Sequence, residues 1–331
     1  MGKEVAGEEG IVKLDLKDRQ LMFELDFDAR APYSKLAKKL RLSKQGVEYK
    51  LQNLMRKGVV GGFYPLIHSQ KLGYIYCRLL ITLQNADEKK RTEIYGYLKA
   101  HPRVFWLFRM HGQYDIAFMT WCKSLREFEG LVHEFEGKFG GFIKQKRETV
   151  ATDVVHFQSR FLTGKVETRA IHLDETGKKV VLDKTDEKII EALCEDARMP
   201  IVKIAKNVGE SAKVVAYRLK KMEGNGVILG YRPIIDYNRL GYTYYKLFIS
   251  LNNISATALG RLNEYLKAQP VVLYTVEGIG LTSNLEVELM VKNNAELFDF
   301  IERLRTKFPT MISEYQTVVF REMLKVKYAP F

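Results

Sequence analysis

Cysteine is scarce in this chain: Cys77, Cys122 and Cys194 are the three among 331 residues, and no two of them form a Cys-x-x-Cys pair. An odd, unpaired set excludes a disulfide scaffold, suits a reducing cytoplasm, and leaves each thiol the role of a small buried apolar residue. The six histidines are scattered without i, i+3 or i, i+4 spacing, so no helical metal site is expected. No apolar run approaches the roughly 20 residues needed to span a bilayer, which argues against a membrane partner. No P-loop, dinucleotide fingerprint or nucleophile–base constellation is found, so neither an enzyme nor a cofactor is expected. The opening "MGKEVAGEEG" lacks the apolar centre of a signal peptide, and Ala6 stands where a myristoylation signal needs Ser or Thr. We read 1–13 as a flexible tail. Acidic residues are also short: 40 Asp and Glu face 53 Lys and Arg, a net charge of +13 that points to a polyanion, nucleic acid first.

What is present is one unit written twice. "DFDARAPYSKLAK" at 26–38 returns as "CEDARMPIVKIAK" at 194–206, an offset of 168 residues. Aligning Leu14 with Leu182 without a gap gives 23 identities over 61 positions, ending at Tyr74 and Tyr242. Asp15/Asp183, Asp18/Asp186, Arg30/Arg198, Pro32/Pro200, Ser43/Ser211 and Tyr49/Tyr217 are among them. This period is far longer than that of a solenoid repeat, so a whole multi-element unit has been duplicated. The unmatched polar segment 165–181 reads as the linker.

Each unit has a helical part and a mixed part. Asp15 is a plausible N-cap for a first helix whose Leu16, Leu21, Met22 and Leu25 share a face. Pro32 opens a second helix with Leu36, Ala37 and Leu40 inward. Ser43 caps a third, carrying Val47, Leu51 and Leu54 at i, i+4 and i+7 and ending at Gly58. The second unit repeats the plan with Ser211, Val215, Leu219, Met222 and Gly226. Three short helices with a tight break before the third describe a helix-turn-helix. The period then changes. Strands at 74–83, about the 112–115 turn, and at 143–152, with helices at 88–100 and 125–139, give β-α-β-β-α-β, as do 242–251, 255–268, 295–308 and 312–321 in the second unit. The fold expected is α+β: two repeats of a winged helix-turn-helix followed by a ferredoxin-like βαββαβ module. The boundaries are 14–62 and 63–164, then 182–230 and 231–331.

The basic excess sits on the second and third helices. Residues 33–58 hold eight Lys or Arg against Glu48, and residues 201–226 hold six against Glu210 and Glu223, together most of the chain's +13. One basic helix is usually a solvated face, but coincidence with a helix-turn-helix, twice, favours double-stranded DNA. Basic side chains would neutralise phosphates and release counterions. The exposed first turns of the third helices would enter the major groove, offering Lys44, Gln45, Glu48 and Tyr49 in one unit and Lys213, Ala216 and Tyr217 in the other. Gln can pair bidentately with adenine and Lys with guanine. Lys50 and Arg218 are expected at phosphates, and either tyrosine could instead pack beside the preceding helix.

A helix-turn-helix opening on "LDxxDxxxxxxLxxDAR", then "GVVGGFYPLI" or "GVILGYRPII", then "LGY" and a ferredoxin-like module, resembles the Lrp/AsnC family of transcriptional regulators over about 14–164 and 182–331. The resemblance implies a sequence-specific regulator whose ferredoxin-like (RAM) modules pair sheet to sheet for self-association and often bind an amino acid or similar effector. The family's Gly-x-Tyr-Asp turn stands here as Gly112-Gln113-Tyr114-Asp115, so Gly112, Tyr114 and Asp115 are the implied effector residues. Gly280 and Asn284 of "GLTSN" are the implied counterparts in the second unit, in a longer turn with an amide in place of the carboxylate. Ordinary members carry one unit and dimerise, so a chain with two is expected to act as a covalent pseudo-dimer. Two alternatives stay open. One is an architectural DNA- or RNA-binding protein. The other is an enzyme like the siroheme-related decarboxylases, which use a similar scaffold with His and Arg about the sheet; Arg109 and His111 flank the hairpin here, but Glu277 and Ile279 replace them in the second unit.

Overall fold

The computed structural model describes residues 10–166, 169–252, 254–281, 283 and 285–331. The first unit runs α1 (Leu16–Leu25), α2 (Tyr33–Leu40), α3 (Lys44–Arg56), β1 (Val60–Ile67), β2 (Ile75–Leu83), α4 (Glu88–Ala100), β3 (Val104–His111), β4 (Ile116–Cys122), α5 (Leu125–Phe139) and β5 (Ile143–Phe157). A short strand, β6 (Ala170–Asp174), follows. The second unit repeats the order: α6 (Lys184–Glu195), α7 (Ile201–Val208), α8 (Ala212–Gly224), β7 (Ile228–Ile235), β8 (Thr243–Leu251), α9 (Ala256–Lys267), β9 (Val272–Ile279), β10 (Leu285–Val291), α10 (Asn294–Lys307) and β11 (Ile312–Val326). None of the described helices is long and apolar enough to cross a membrane.

The helical parts begin on reciprocal caps. Asp15 accepts from the Asp18 amide at 2.7 Å while Asp18 accepts from the Asp15 amide at 3.2 Å, and Asp183 and Asp186 repeat the exchange at the start of α6. Leu21, Met22 and Leu25 of α1 are buried, but Leu16 is 64% exposed. The expected apolar face is therefore one residue too long, because Leu16 is the first helical residue and projects past the packed turn. Leu36, Ala37, Leu40, Val47, Leu51 and Leu54 are buried, as are Val215, Leu219 and Met222, and both helical parts contribute to one continuous core. Each fully buried aliphatic side chain is worth about 1.5–3 kcal/mol relative to exposure.

β1 and β7 form a two-stranded antiparallel ribbon joining the units, with Tyr64 opposite Arg232. These two positions are equivalents in the repeat, so the local pseudo-twofold axis passes between them.

The remaining strands join both ferredoxin-like modules into one sheet. Within the units the orders are β5-β2-β4-β3 and β11-β8-β10-β9, all antiparallel. The edge strand of each then pairs with the last strand of the other, β3 with β11 and β9 with β5, which closes eight strands into a ring. This explains a departure from the sequence expectation. The last strands do not stop at 152 and 321 but run to Phe157 and Val326, because their second halves find hydrogen-bond partners on the opposite module's edge. A second departure concerns 165–181, expected as a plain linker. It contains β6, which pairs with β5 and buries Ile171 and Leu173 on one face while His172 points out. The outer faces of the ring pack on α4 and α5 or on α9 and α10, and the inner faces meet around Phe108, Phe248 and Phe320.

Candidate nucleic-acid interface

Each third helix is held at its start by the residue the sequence suggested. Ser43 Oγ accepts from the Gly46 amide at 2.9 Å, and Ser211 Oγ accepts from the Val214 amide at 3.2 Å. A serine cap satisfies one of the orphan amides at a helix start and fixes where the first turn faces. Lys44, Gln45, Lys213 and Ala216 are exposed on those turns, and Glu48 is half-buried. Tyr49 and Tyr217 are 64% and 68% exposed, so neither is tucked against the preceding helix.

Lys50 and Arg218 depart from expectation. The Lys50 ammonium lies 2.6 Å from Asp15 and 2.9 Å from Asp18, and the Arg218 guanidinium lies 2.7 Å from Asp183 and 2.8 Å from Asp186. Each cation thus clamps the third helix to the capping box of the first, and a phosphate would have to compete with two carboxylates. Burial would lower the pKa of the Lys50 ammonium, but the hydrogen bonds it donates to Asp15 and Asp18 raise it above the ordinary lysine value. The bond to Asp183 raises Arg218 further. The sequence carried this signal unread: the two acids and the basic residue recur at the same spacing in both units.

The repeated Asp-Ala-Arg also acquires a purpose that sequence reasoning missed. Arg30 donates to the carbonyls of Ala197 at 2.5 Å and Met199 at 3.1 Å. Arg198 returns the contact to Ala29 and, at 3.5 Å, to Ala31. The Ala29 amide donates to Tyr231 and the Ala197 amide to Phe63, at 3.0 and 3.1 Å. The two arginines therefore clasp the helical parts to each other beside the β1–β7 ribbon. That fixes the orientation of α3 relative to α8.

The implied effector residues are not gathered into one site. Gly112, at φ +126°, lets β3 turn against β11, where a Cβ would meet Val318 at 3.0 Å and the Thr317 carbonyl at 3.1 Å. Tyr114 is fully buried, edge-on to Phe248 at 5.9 Å. Asp115 accepts from the Leu83 amide at 2.7 Å and pairs with Arg91 at 3.2 Å, so its carboxylate is already engaged. Gly280 lies at the opposite joint against the Glu148 carbonyl of β5. Asn284 lies outside the described residues. Arg109 stacks over Tyr95 at 4.9 Å near Glu322, and His111 contacts Arg321 at 2.5 Å. Among the described residues no group of three His, Cys, Asp or Glu could hold a metal ion.

Comparison with known proteins follows the same division. The family model for the AsnC-type helix-turn-helix domain matches residues 182–223, and that for a winged helix-turn-helix DNA-binding domain matches residues 14–60. The HTH-type transcriptional regulator FL11 of Pyrococcus horikoshii is 30% identical over 124 residues, covering 38% of this chain and 80% of that protein. The proline dehydrogenase transcriptional activator of Rhodobacter capsulatus is 37% identical over 95 residues, which span 28% of this chain and 60% of the activator. Among solved structures, the siroheme decarboxylase NirDL in co-complex with an iron-uroporphyrin III analogue aligns over 95% of this chain and 93% of its own, with a TM-score of 0.62 at 15% identity. That likeness is one of fold, and it spans both units. Two capped helix-turn-helices, each leading into an antiparallel sheet, and the sequence relatives together lead to one assignment: the chain belongs to the Lrp/AsnC family of transcriptional regulators.

Proposed function

We propose that this chain is a sequence-specific DNA-binding regulator in which the two units of one polypeptide serve as the two halves of a dimer. The observation that carries the reading is the cross-unit clasp: Arg30 and Arg198 each reach the other unit's Asp-Ala-Arg turn. The Tyr64–Arg232 pair on the ribbon axis supports it independently. Both hold two capped recognition helices in one fixed relation, which is what reading two half-sites requires. Lys44, Gln45 and Tyr49 would read one half-site, and Lys213, Ala216 and Tyr217 the other. Lys50 and Arg218 would act by orienting the helices rather than by touching phosphate.

An amino-acid effector would have to enter by exchanging contacts already made. Asp115 would have to exchange Arg91 for a ligand ammonium, and Tyr114 faces the ring interior rather than solvent. Self-association beyond one chain is not needed to complete the proposed DNA-reading unit. The test is binding stoichiometry on duplex DNA. One chain should protect two half-sites about one helical turn apart, with an affinity that falls steeply with salt. Protection of a single half-site per chain, or a salt slope near zero, would refute the reading.

A further inference from the structure

Charged side chains point into the ring between the two sheets, where sequence reasoning placed none. Arg78 of β2 makes a bidentate pair with Glu286 of β10, at 2.6 and 2.5 Å. The Lys246 ammonium of β8 lies 2.8 Å from Glu286 and 2.8 Å from Glu288, whose carboxylate also accepts from the Tyr244 hydroxyl. All four charged residues are at most 7% exposed. Burial pushes the Glu286 carboxyl up, yet Arg78 and Lys246 overcome it and hold the group at about 2.

The distribution between the units is unequal. Arg78 and Lys246 are equivalents in the repeat, one cation per sheet. Arg78 stands opposite Met119 in the β2–β4 register, and Lys246 stands opposite Glu288 in the β8–β10 register. By the same register Leu80 faces Ala117 where Phe248 faces Glu286. Both carboxylates therefore come from the second unit, and the first has Ala and Met in their places. Counting the fully buried charges, the inner face of the first sheet holds one cation and that of the second holds one cation and two carboxylates; half-buried Arg147 of β5, opposite Leu80, adds a second cation to the first face.

We infer that this interior is a pairing code: the first sheet accepts a second sheet and rejects a copy of itself. Unlike pairing sets the two fully buried cations, Arg78 and Lys246, against the two carboxylates, Glu286 and Glu288. Two first sheets would bury two Arg78 with no carboxylate, and two second sheets would bury four carboxylates against two Lys246. An unpartnered buried charge is far costlier than an apolar contact, so like pairing is selected against. Because each chain supplies one sheet of each kind, pairing within a chain satisfies the code and leaves no face to recruit another copy. This inference rests on the two-halves reading proposed above.

The test rewrites the code in full-length chains. E286A/E288M leaves both inner faces with a buried cation and no carboxylate, and A117E/M119E gives both faces two carboxylates opposite one fully buried cation. A reporter, R109C/E322C, places cysteines opposite each other across the β3–β11 joint. With the native interior the reporter should form a disulfide within one chain; its failure would overturn the two-halves reading itself. Each rewritten chain alone should form that disulfide at least about tenfold less, since its sheets repel. Refolded together from denaturant, the two should assemble as a one-to-one pair of chains and recover the disulfide, now between chains. The code is wrong if either rewritten chain closes as the native one does. It is also wrong if the two aggregate or stay apart when refolded together, whatever the native reporter shows.

Discussion

The first unit turns from α2 into α3 through Arg41 in the left-handed region, at φ 53°, whereas the second makes the same turn through Gly209, at φ 74°. The two helices carry six basic residues in each unit, and the first unit adds Arg41 and Lys57 just beyond their ends. On the axis, Tyr64 of the first stands opposite Arg232 of the second, and Asp26 has Cys194 as its counterpart. The contacts that have stayed equivalent are the capping boxes with their Lys50 or Arg218 clamps inside each unit, and the Arg30 and Arg198 clasp to backbone carbonyls between the units. What has diverged is what faces outward to a ligand or inward to a mate of different identity. In a homodimer one substitution appears in both halves, so neither an unlike charge pair nor an unlike recognition helix can arise alone. Duplication into one chain removes that constraint.

The comparison can be broken most forcefully at the axis. Arg232 donates to Asp26 at 2.6 and 2.9 Å, and both are 2% exposed. Burial opposes the charge, but Asp26 and the neighbouring tyrosines hold the guanidinium well above its ordinary value. Arg232→Leu leaves the buried Asp26 carboxylate without its counter-ion, held only by the Ser159 amide and hydroxyl, and should cost about 3–5 kcal/mol. Cys194→Val, at the position equivalent to Asp26, should cost less than about 1.5 kcal/mol. Urea unfolding midpoints give both values.

A second effect of nearly that size should appear with acid. The Glu286 carboxyl is held at about 2 against an ordinary 4.5. A depressed carboxylate binds fewer protons folded than unfolded. Its contribution is therefore present above pH 4.5 and is lost as pH falls from there through about 2, a total of roughly 3 kcal/mol. The acid limb of the stability profile should flatten in E286A, measured as the change in unfolding free energy with pH.

The clasp predicts equality. Arg30→Ala and Arg198→Ala should each cost about 1–3 kcal/mol, and by similar amounts, because the two make equivalent bonds to carbonyls. Widely different values would show that the units are not related by the axis through the ribbon. The smallest effect belongs to the turns. Gly209→Ala meets no atom within 4 Å of the new Cβ, so only its positive φ opposes it, at about 1 kcal/mol. Arg41→Gly should relieve strain of the same order, partly offset by the extra freedom of glycine in the unfolded chain. Thermal midpoints would resolve the two signs.

Much of this architecture is written in short-range pattern. The helix caps and the α4 and α5 bounds follow from local signals such as Asp15, Ser43 and the 3.6-residue period. What local pattern does not carry is pairing between distant edges. Nothing within "IKQKRETVATDVVHF" says that its second half will find β9, and the alternation of "AIHLD" was obscured by its polar surroundings. The interior charges did leave a trace. "YCRLL", "YYKLF" and "LEVEL" each place a charge on the face opposite an apolar alternation, as a strand buried on both sides requires. The Lys50 clamp had left a trace in its recurrence as Arg218, but the partner of Asp115 was not legible, because an acidic residue near a ligand surface looks the same whether it is free or already paired.

The claim that two unlike halves act as one reader is tested most directly by selecting bound sequences from a random duplex pool with the full-length chain. The selected site should contain two different half-sites, about one helical turn apart. Lys44→Ala with Gln45→Ala should relax preference in one half and Lys213→Ala in the other, each by roughly 1–3 kcal/mol. A perfect short palindrome, with both variants weakening its two halves equally, would contradict it.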